Sequence, residues 1–427
     1  MKEDTMNDTA VTGADSVVNT SHLMQTYKPA PVVFVRGEGP YLFDTDGNKY
    51  LDFLSGIAVT SLGHAHDQVA AAIAKQAREL LHVSNLFHND LAQDVASMLD
   101  SLIIGDSADP AIRANGGKVF FANSGAEAVE CALKLSRKWG GGTAYKVVAF
   151  DGSFHGRTFG ALSATGQPKK KQDFLPMLDG FIHLPYVDVD LLAQCLEQNQ
   201  IPEQNGRSNL VAAVLIEPIQ GENGILLPLE NTLAEVRELC NRHNVLMVVD
   251  EIQTGLGRTG KWFAFQHDGI IPDVVTMAKS LGNGMPIGAC WAKSTVADCF
   301  MPGDHGTTFG GQPLALSAAK ATLDALLEIR APETAHDLGQ KLREALSGLE
   351  GVEYVRGKGL LLGVKLSEDI DASAFTTTAL SLGLIANSPV TGIVRLAPPY
   401  VIDDTHISEA TELFKAALRL HRKGKAG

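Results

Sequence analysis

The chain has 427 residues, of which 45% are hydrophobic, 6% aromatic and 20% charged; that length and mix predict two to three domains in a compact soluble protein and exclude disorder and fibres. Asp and Glu outnumber Lys and Arg by 49 to 36, and the net charge of −13 repels nucleic-acid phosphate and anionic membrane, so neither is expected as a partner. Five cysteines, Cys131, Cys195, Cys240, Cys290 and Cys299, are odd in number and contain no C-x-x-C pair; they read as reduced thiols, not as a disulfide framework or a zinc site.

Residues 1–22 lack an apolar run and carry Glu3, Asp4, Asp8 and Asp15, which argues against a secretory or transit signal and predicts a disordered polar leader in a cytoplasmic protein. Residues 32 to 35, 41 to 43 and 50 to 53, separated by Gly, Asp and Asn turns, predict a small antiparallel meander. His64-Ala65-His66 has no third ligand at a recognised spacing, so a loop is expected and no metal. Further on, short apolar runs at 118 to 121, 145 to 150, 210 to 216, 245 to 249 and 274 to 278 predict buried strands. Between them Val129, Leu133 and Trp139, and again Leu233, Val236, Leu239 and Cys240, recur at helical spacing. Alternation of this kind predicts an α/β unit with a mostly parallel sheet flanked by helices. Beyond residue 330 helical and strand patterns mix at shorter intervals. The expected division is an N-terminal segment 23–60, a large domain 61–329 and a C-terminal part 330–427, the two ends together making a smaller α+β domain.

Ligands bind at the carboxyl ends of strands in such sheets, and there the sequence is polar. Asn123-Ser124-Gly125-Ala126-Glu127 follows the first run and opens a helix; it reads either as an ordinary N-cap or as a phosphate seat on free N–H groups. Lys279 ends another run and precedes glycines, either snorkelling outward or held in a desolvated crevice that lowers its pKa toward amine nucleophilicity. Asp250, at a third strand end, is a turn cap or a fixed carboxylate able to keep a pyridinium nitrogen protonated. Taken with aromatic Phe154, these parts share one use, which is pyridoxal phosphate. Residues 255 to 260 fit G-x-G-x-x-G, but they stand six residues past the strand and precede no amphipathic helix, so a dinucleotide seat is rejected.

The stretch from Val248 through Asp250-Glu251-Ile252-Gln253 to Gly260, with Asn123 to Ala128, Phe154-His155-Gly156-Arg157-Thr158 and Thr307-Thr308-Phe309-Gly310-Gly311, resembles the class III (subgroup II) pyridoxal-phosphate-dependent aminotransferases of fold type I. The similarity runs from about Tyr27 to Leu418, and it implies a seven-stranded sheet in the large domain. It also implies that Lys279 is the Schiff-base lysine, with Asp250 on the pyridine nitrogen, Gln253 near the ring hydroxyl and Phe154 over the ring. Ser124, Gly125 and Ala126 would hold the phosphate, joined by Thr308 of the other subunit of a homodimer, with His155 and Glu217 also at the cofactor. At the substrate, the resemblance implies Tyr27, Ile57, Arg157 and Arg395, with Glu222 as a gate that neutralises Arg395 while a diamine donor is bound. Ser84-Asn85-Leu86-Phe87 and the run from Phe53 to Val59 are most similar to the branch acting on N2-acetylornithine and 2-oxoglutarate, in arginine biosynthesis. Ile57 stands where ornithine-specific members have tyrosine, which argues against free ornithine as main donor and leaves succinylornithine and γ-aminobutyrate as alternatives. Gln312, Val129 and Asn283 depart from the usual family residues.

Overall fold

A computed structural model describes residues 22–105 and 110–423; the expected polar leader, apart from residue 22, lies outside the described residues. Within them, strands β1 (Gly117–Ala122), β2 (Lys146–Phe150), β3 (Phe181–Leu184), β4 (Val211–Ile216), β5 (Leu246–Asp250), β6 (Val274–Met277) and β7 (Gly288–Lys293) form one sheet in the order β1-β7-β6-β5-β4-β2-β3. β7 runs antiparallel to both β6 and β1, and every other pairing is parallel. Each residue of β4, β5 and β6 is buried, as strands covered by helices on both faces must be.

β3 and β7 escaped the reading of apolar runs. β3 is a half-buried edge strand containing His183, and β7 reads Gly-Ala-Cys-Trp-Ala-Lys, with no β-branched residue to mark it. β7 is nonetheless deeply embedded. Trp291 is fully buried, and its Nε1 donates to Asp100 Oδ1 at 2.7 Å, the oxygen that also accepts from Gly117 N at 2.7 Å.

The helix Gly125–Trp139 follows β1 directly, with Ser124 as N-cap, and stops where Gly141 and Gly142 take positive φ. Thr232–Arg242 buries Leu233, Val236, Leu239 and Cys240, the face expected from their spacing. Pro313–Glu328 packs on Asp67–Glu79 and Asp90–Ile104, three helices the sequence reading had not singled out. A left-handed Arg330 (φ 48°) then separates it from Ala331–Ser347.

The N-terminal meander, Phe34–Glu38, Tyr41–Asp44 and Lys49–Asp52, is antiparallel, and its last strand pairs in parallel with Leu384–Ile385. One small sheet thus joins both ends of the chain. A second, of Val352–Lys358, Leu361–Leu366, Ile393–Leu396 and Asn387–Val390, carries Arg395. Among the described residues no helix is long and apolar enough to cross a membrane.

Candidate active site

The carboxyl ends of the parallel strands converge on a cavity of about 380 Å³, where a twisted sheet leaves room for a ligand. After β1, the Ser124 hydroxyl accepts from Glu127 N at 3.3 Å while Ser124, Gly125 and Ala126 all line the cavity. The two readings of this motif therefore coexist: a capped helix whose first N–H groups, lacking intrahelical partners, open onto the cavity. A Cβ on Gly125 would lie 2.7 Å from Ile252 Cδ1, so the Ile252 side chain would have to shift to admit one.

Asp250, the last residue of β5, is buried and doubly held. Its Oδ2 accepts from His155 Nδ1 at 2.7 Å, since a carboxylate can only accept, and its Oδ1 accepts from Ile252 N at 3.1 Å. Glu217, after β4, accepts from Phe154 N at 2.9 Å and Gly221 N at 3.4 Å. Burial pushes its carboxyl up to about 7 despite the neighbouring His155.

Lys279 follows β6, has φ 41° and stands half-buried in the cavity wall. Burial first, then Arg395, bring its ammonium down to about 8 against the opposing pull of Glu222, Asp250 and Glu217. Its turn is pinned to the N-terminal segment. Ser280 Oγ donates to Ala58 O at 3.0 Å and meets Ser61 Oγ at 2.6 Å. Asn283, left-handed at φ 44°, accepts from Leu62 N at 2.9 Å and donates to Gly63 O at 3.2 Å, so this departure from the family pattern has a packing role.

Arg395 is fully buried. Its Nη1 donates to Glu222 Oε1 at 2.6 Å and Gln253 Oε1 at 3.3 Å, and its Nε to Asn387 Oδ1 at 3.0 Å, while Nη2 has no partner. Burial alone would raise the Glu222 carboxyl, but Arg395, with Lys279 and Lys170, outweighs it and holds Glu222 below the usual range. Arg157 is exposed at the mouth, its guanidinium 5.7 Å from the Phe154 ring centroid.

Four of the expected residues stay outside the lining in a single chain, Arg395 among them, reaching it only through Glu222 and Gln253. Tyr27 is 87% exposed, Thr308 is exposed, and Ile57 sits in the short turn Ser55–Ala58 whose neighbour Val59 lines the cavity. His64 pairs with Asp52 Oδ2 at 2.8 Å, and the described residues contain no cluster of three candidate metal ligands.

Other residues went unread. Arg258, inside the rejected glycine motif, is fully buried and donates to Pro398 O at 2.5 Å, Leu360 O at 3.2 Å and Ser61 Oγ at 2.6 Å. It staples the Lys279 turn, through Ser61 and Ser280, to the end of the Arg395 strand. Glu130 Oε1 accepts from Thr158 Oγ1 at 2.6 Å, Gly160 N at 2.9 Å and Ala161 N at 3.1 Å, fixing the turn just after Arg157. Nothing in the sequence marks Glu130, which sits mid-helix like any solvent-facing glutamate.

A family model described as aminotransferase class-III matches residues 23–418. The chain belongs to the class-III aminotransferases. Among relatives of this class-III enzyme, the acetylornithine aminotransferase of Methanopyrus kandleri is 43% identical over 93% of the chain and 96% of the relative. That of Corynebacterium efficiens is 45% identical over 93% and 94%. Among solved structures, the ornithine aminotransferase of Toxoplasma gondii, which has partial occupancy of PLP at its active site, superposes with a TM-score of 0.88 at 33% identity, covering 97% of this chain and 96% of that one. The acetylornithine aminotransferase of Elizabethkingia anophelis gives 0.78 at 33% identity, covering 93% and 96%.

Proposed function

We propose that this class-III aminotransferase uses pyridoxal phosphate to move the δ-amino group of N2-acetyl-L-ornithine to 2-oxoglutarate, giving N-acetylglutamate 5-semialdehyde and glutamate for arginine biosynthesis. The observation that carries this reading is the ion pair between buried Arg395 and half-buried Glu222, whose glutamate lines the cavity together with Lys279 and Arg157. The donor set fits the cofactor. Helix N–H groups and Ser124 offer an anion seat, Asp250 a fixed carboxylate, Phe154 an aromatic wall and Lys279 a half-buried amine, while the orphaned buried His155 Nε2 leaves donor or acceptor capacity at the site. Bound there, pyridoxal phosphate supplies the electron sink that lets an amino group pass between donor and acceptor.

The protein's share is positioning and proton transfer. Ser124, Gly125 and Ala126 would hold the phosphate, Asp250, oriented by His155, would keep the ring nitrogen protonated, and Gln253 would hydrogen-bond the ring hydroxyl. Glu217 keeps the Phe154 backbone in place. Burial and Arg395 bring the Lys279 pKa down to about 8, which favours the uncharged amine that would take a proton from the substrate carbon and return it. Glutamate and 2-oxoglutarate have two carboxylates and suit two arginines, whereas acetylornithine reacts through its distal amine and needs only Arg157. Glu222 covers Arg395 in that half-reaction, because a second unpaired guanidinium is costly in a dry pocket.

The reading includes a cytoplasmic homodimer. None of the five cysteines is bridged, as suits a reducing compartment. Asn85 donates to Thr307 O at 3.0 Å and Gly310 O at 3.1 Å, tying together two loops that expose Leu86, Phe87 and Phe309 beside Thr308. An apolar patch of this kind fits a subunit contact that would carry Thr308 into the other subunit's site. Residues 61–329 are assigned to the cofactor-bearing domain, and the backbone break at Arg330 supports that boundary.

The test is the holoenzyme without keto acid. Its yellow absorbance should fade much faster with N2-acetylornithine than with ornithine or γ-aminobutyrate, and Lys279→Ala should abolish turnover. Preference for γ-aminobutyrate or ornithine overturns the donor assignment, comparable fading with succinylornithine assigns a dual role, and no yellow band after cofactor addition overturns the enzyme reading.

A further inference from the structure

Building on that reading, we infer that Lys170 is a second anchor, beside Arg157, for the substrate carboxylate farthest from the reacting carbon. Lys170 ends the short turn Pro168–Lys170. Its Nζ lies 5.0 Å from the centroid of the Phe154 ring, and the Arg157 guanidinium lies 5.7 Å from the same centroid. One aromatic ring that lines the cavity thus has two cations against it, of which Arg157 also lines the cavity.

Lys170 is built into this place and not merely swept over it. Gln167 Nε2 donates to Gly152 O at 3.0 Å, and Gln167 Oε1 accepts from Lys170 Nζ at 2.5 Å. The ammonium is therefore held, half-buried, by a neutral acceptor that is itself tied to the turn preceding Phe154. No carboxylate of the described residues stands within ion-pair distance of it, and the acid whose field it feels, Glu222, is committed to Arg395 at 2.6 Å. Burial lowers its pKa, and repulsion from Arg157 and Arg395 adds to this against the pull of Glu222. An anion seated between Arg157 and Lys170 relieves that repulsion and supplies the counter-charge the mouth lacks.

Both half-reactions bring such an anion. The α-carboxylate of acetylornithine and the far carboxylate of 2-oxoglutarate are the groups remote from the carbon that reacts, and both would lie at the mouth. A cation shared between the two substrates serves affinity without discriminating between them, whereas Arg395 does the discriminating.

The test compares the wild type with Lys170→Met and Lys170→Arg holoenzymes on N2-acetylornithine, on 2-oxoglutarate, and on N-acetyl-1,4-diaminobutane, the donor analogue that lacks the α-carboxylate. Lys170→Met should raise KM for both carboxylate substrates roughly tenfold with a smaller effect on kcat, leave the analogue within about twofold, and be largely rescued by Lys170→Arg. Equal losses on acetylornithine and its analogue, or an unchanged KM for 2-oxoglutarate, overturn the anchor. A wild type that ignores acetylornithine overturns the donor assignment instead, and the 2-oxoglutarate measurement still decides the role of Lys170.

Discussion

Replacing Glu222 by Gln isolates the gate. The Arg395 guanidinium is fully buried, and its shortest contact is the 2.6 Å bond to Glu222, against 3.3 Å to Gln253 and 3.4 Å to the Gly221 carbonyl. In the proposed mechanism a dicarboxylate would displace Glu222 before using Arg395. A hydrogen bond to a charged partner is worth about 1.5–3 kcal/mol and a neutral one about 1, so the isosteric amide removes roughly 0.5–2 kcal/mol of competition. Glutamate and 2-oxoglutarate should then react with kcat/KM raised by roughly 2- to 30-fold, while acetylornithine, meeting an uncovered guanidinium, should lose by a similar factor. The assay is single-turnover absorbance of the holoenzyme with each donor alone, and the ratio of glutamate to acetylornithine kcat/KM is its readout. A ratio within twofold of wild type, in a protein with unchanged melting, refutes the gate.

The cofactor-free protein gives a test of Lys279. Its ammonium titrates near 8 in the fold against 10.5 unfolded, so the unfolded chain binds more protons between those values and stability rises with pH there. The cost is complete below about pH 8, and Lys279→Met should stabilise the apoprotein at pH 7 by about 3 kcal/mol, fading toward pH 10.5; denaturant melts showing a pH-independent gain contradict the shift. Asp250→Asn keeps shape but loses the charge that His155 and the ring nitrogen would share, so kcat should fall roughly a hundredfold or more with the fold intact, as steady-state rates beside a circular dichroism spectrum would show. Trp291→Ala should cost about 3–5 kcal/mol in denaturant titration, since it empties a fully buried site and removes a donor from Asp100. Arg258→Met leaves two carbonyls and the Ser61 hydroxyl without a donor and should cost about 2–4 kcal/mol by the same measurement; wild-type stability would mean that the staple between the Lys279 turn and the Arg395 strand is dispensable.

What could be read in the chain follows from how locally each feature is encoded. β4 and β5 announce themselves because a strand buried on both faces must be apolar throughout, and the polar residues just past them, Glu217 and the Asp250 that closes β5, stand out against that background. Ser124-Gly125 is legible because a helix start is written in adjacent residues. β7 is not, since what buries it is the Trp291 bond to an aspartate 191 positions away. Arg258 is hidden for the same reason: its acceptors lie 102, 140 and 197 positions away, and its own flanking glycines imitate a nucleotide loop. Closing the small sheet through Lys49–Asp52 and Leu384–Ile385 takes only two pairs of residues, too short a match for any periodicity to reveal.

The gate has an electrostatic consequence for the base it serves. Lys279 feels Arg395 as a charge that favours its neutral form and Glu222 as one that favours its protonated form, so the two oppose each other while they are paired. Were Glu222 simply to swing away, Arg395 would act on Lys279 unopposed and drive its pKa further down. In the proposed mechanism, an α-carboxylate that displaced Glu222 would carry the same charge to the guanidinium and restore that opposition at Lys279. Exchange of one carboxylate for another would then keep the Lys279 pKa similar on both substrates, which removal of the arginine charge by substitution would forbid. Arg395→Gln should accordingly raise the Lys279 pKa in the apoprotein as well as weaken glutamate, and an unchanged Lys279 titration in that variant would break the link between gate and base.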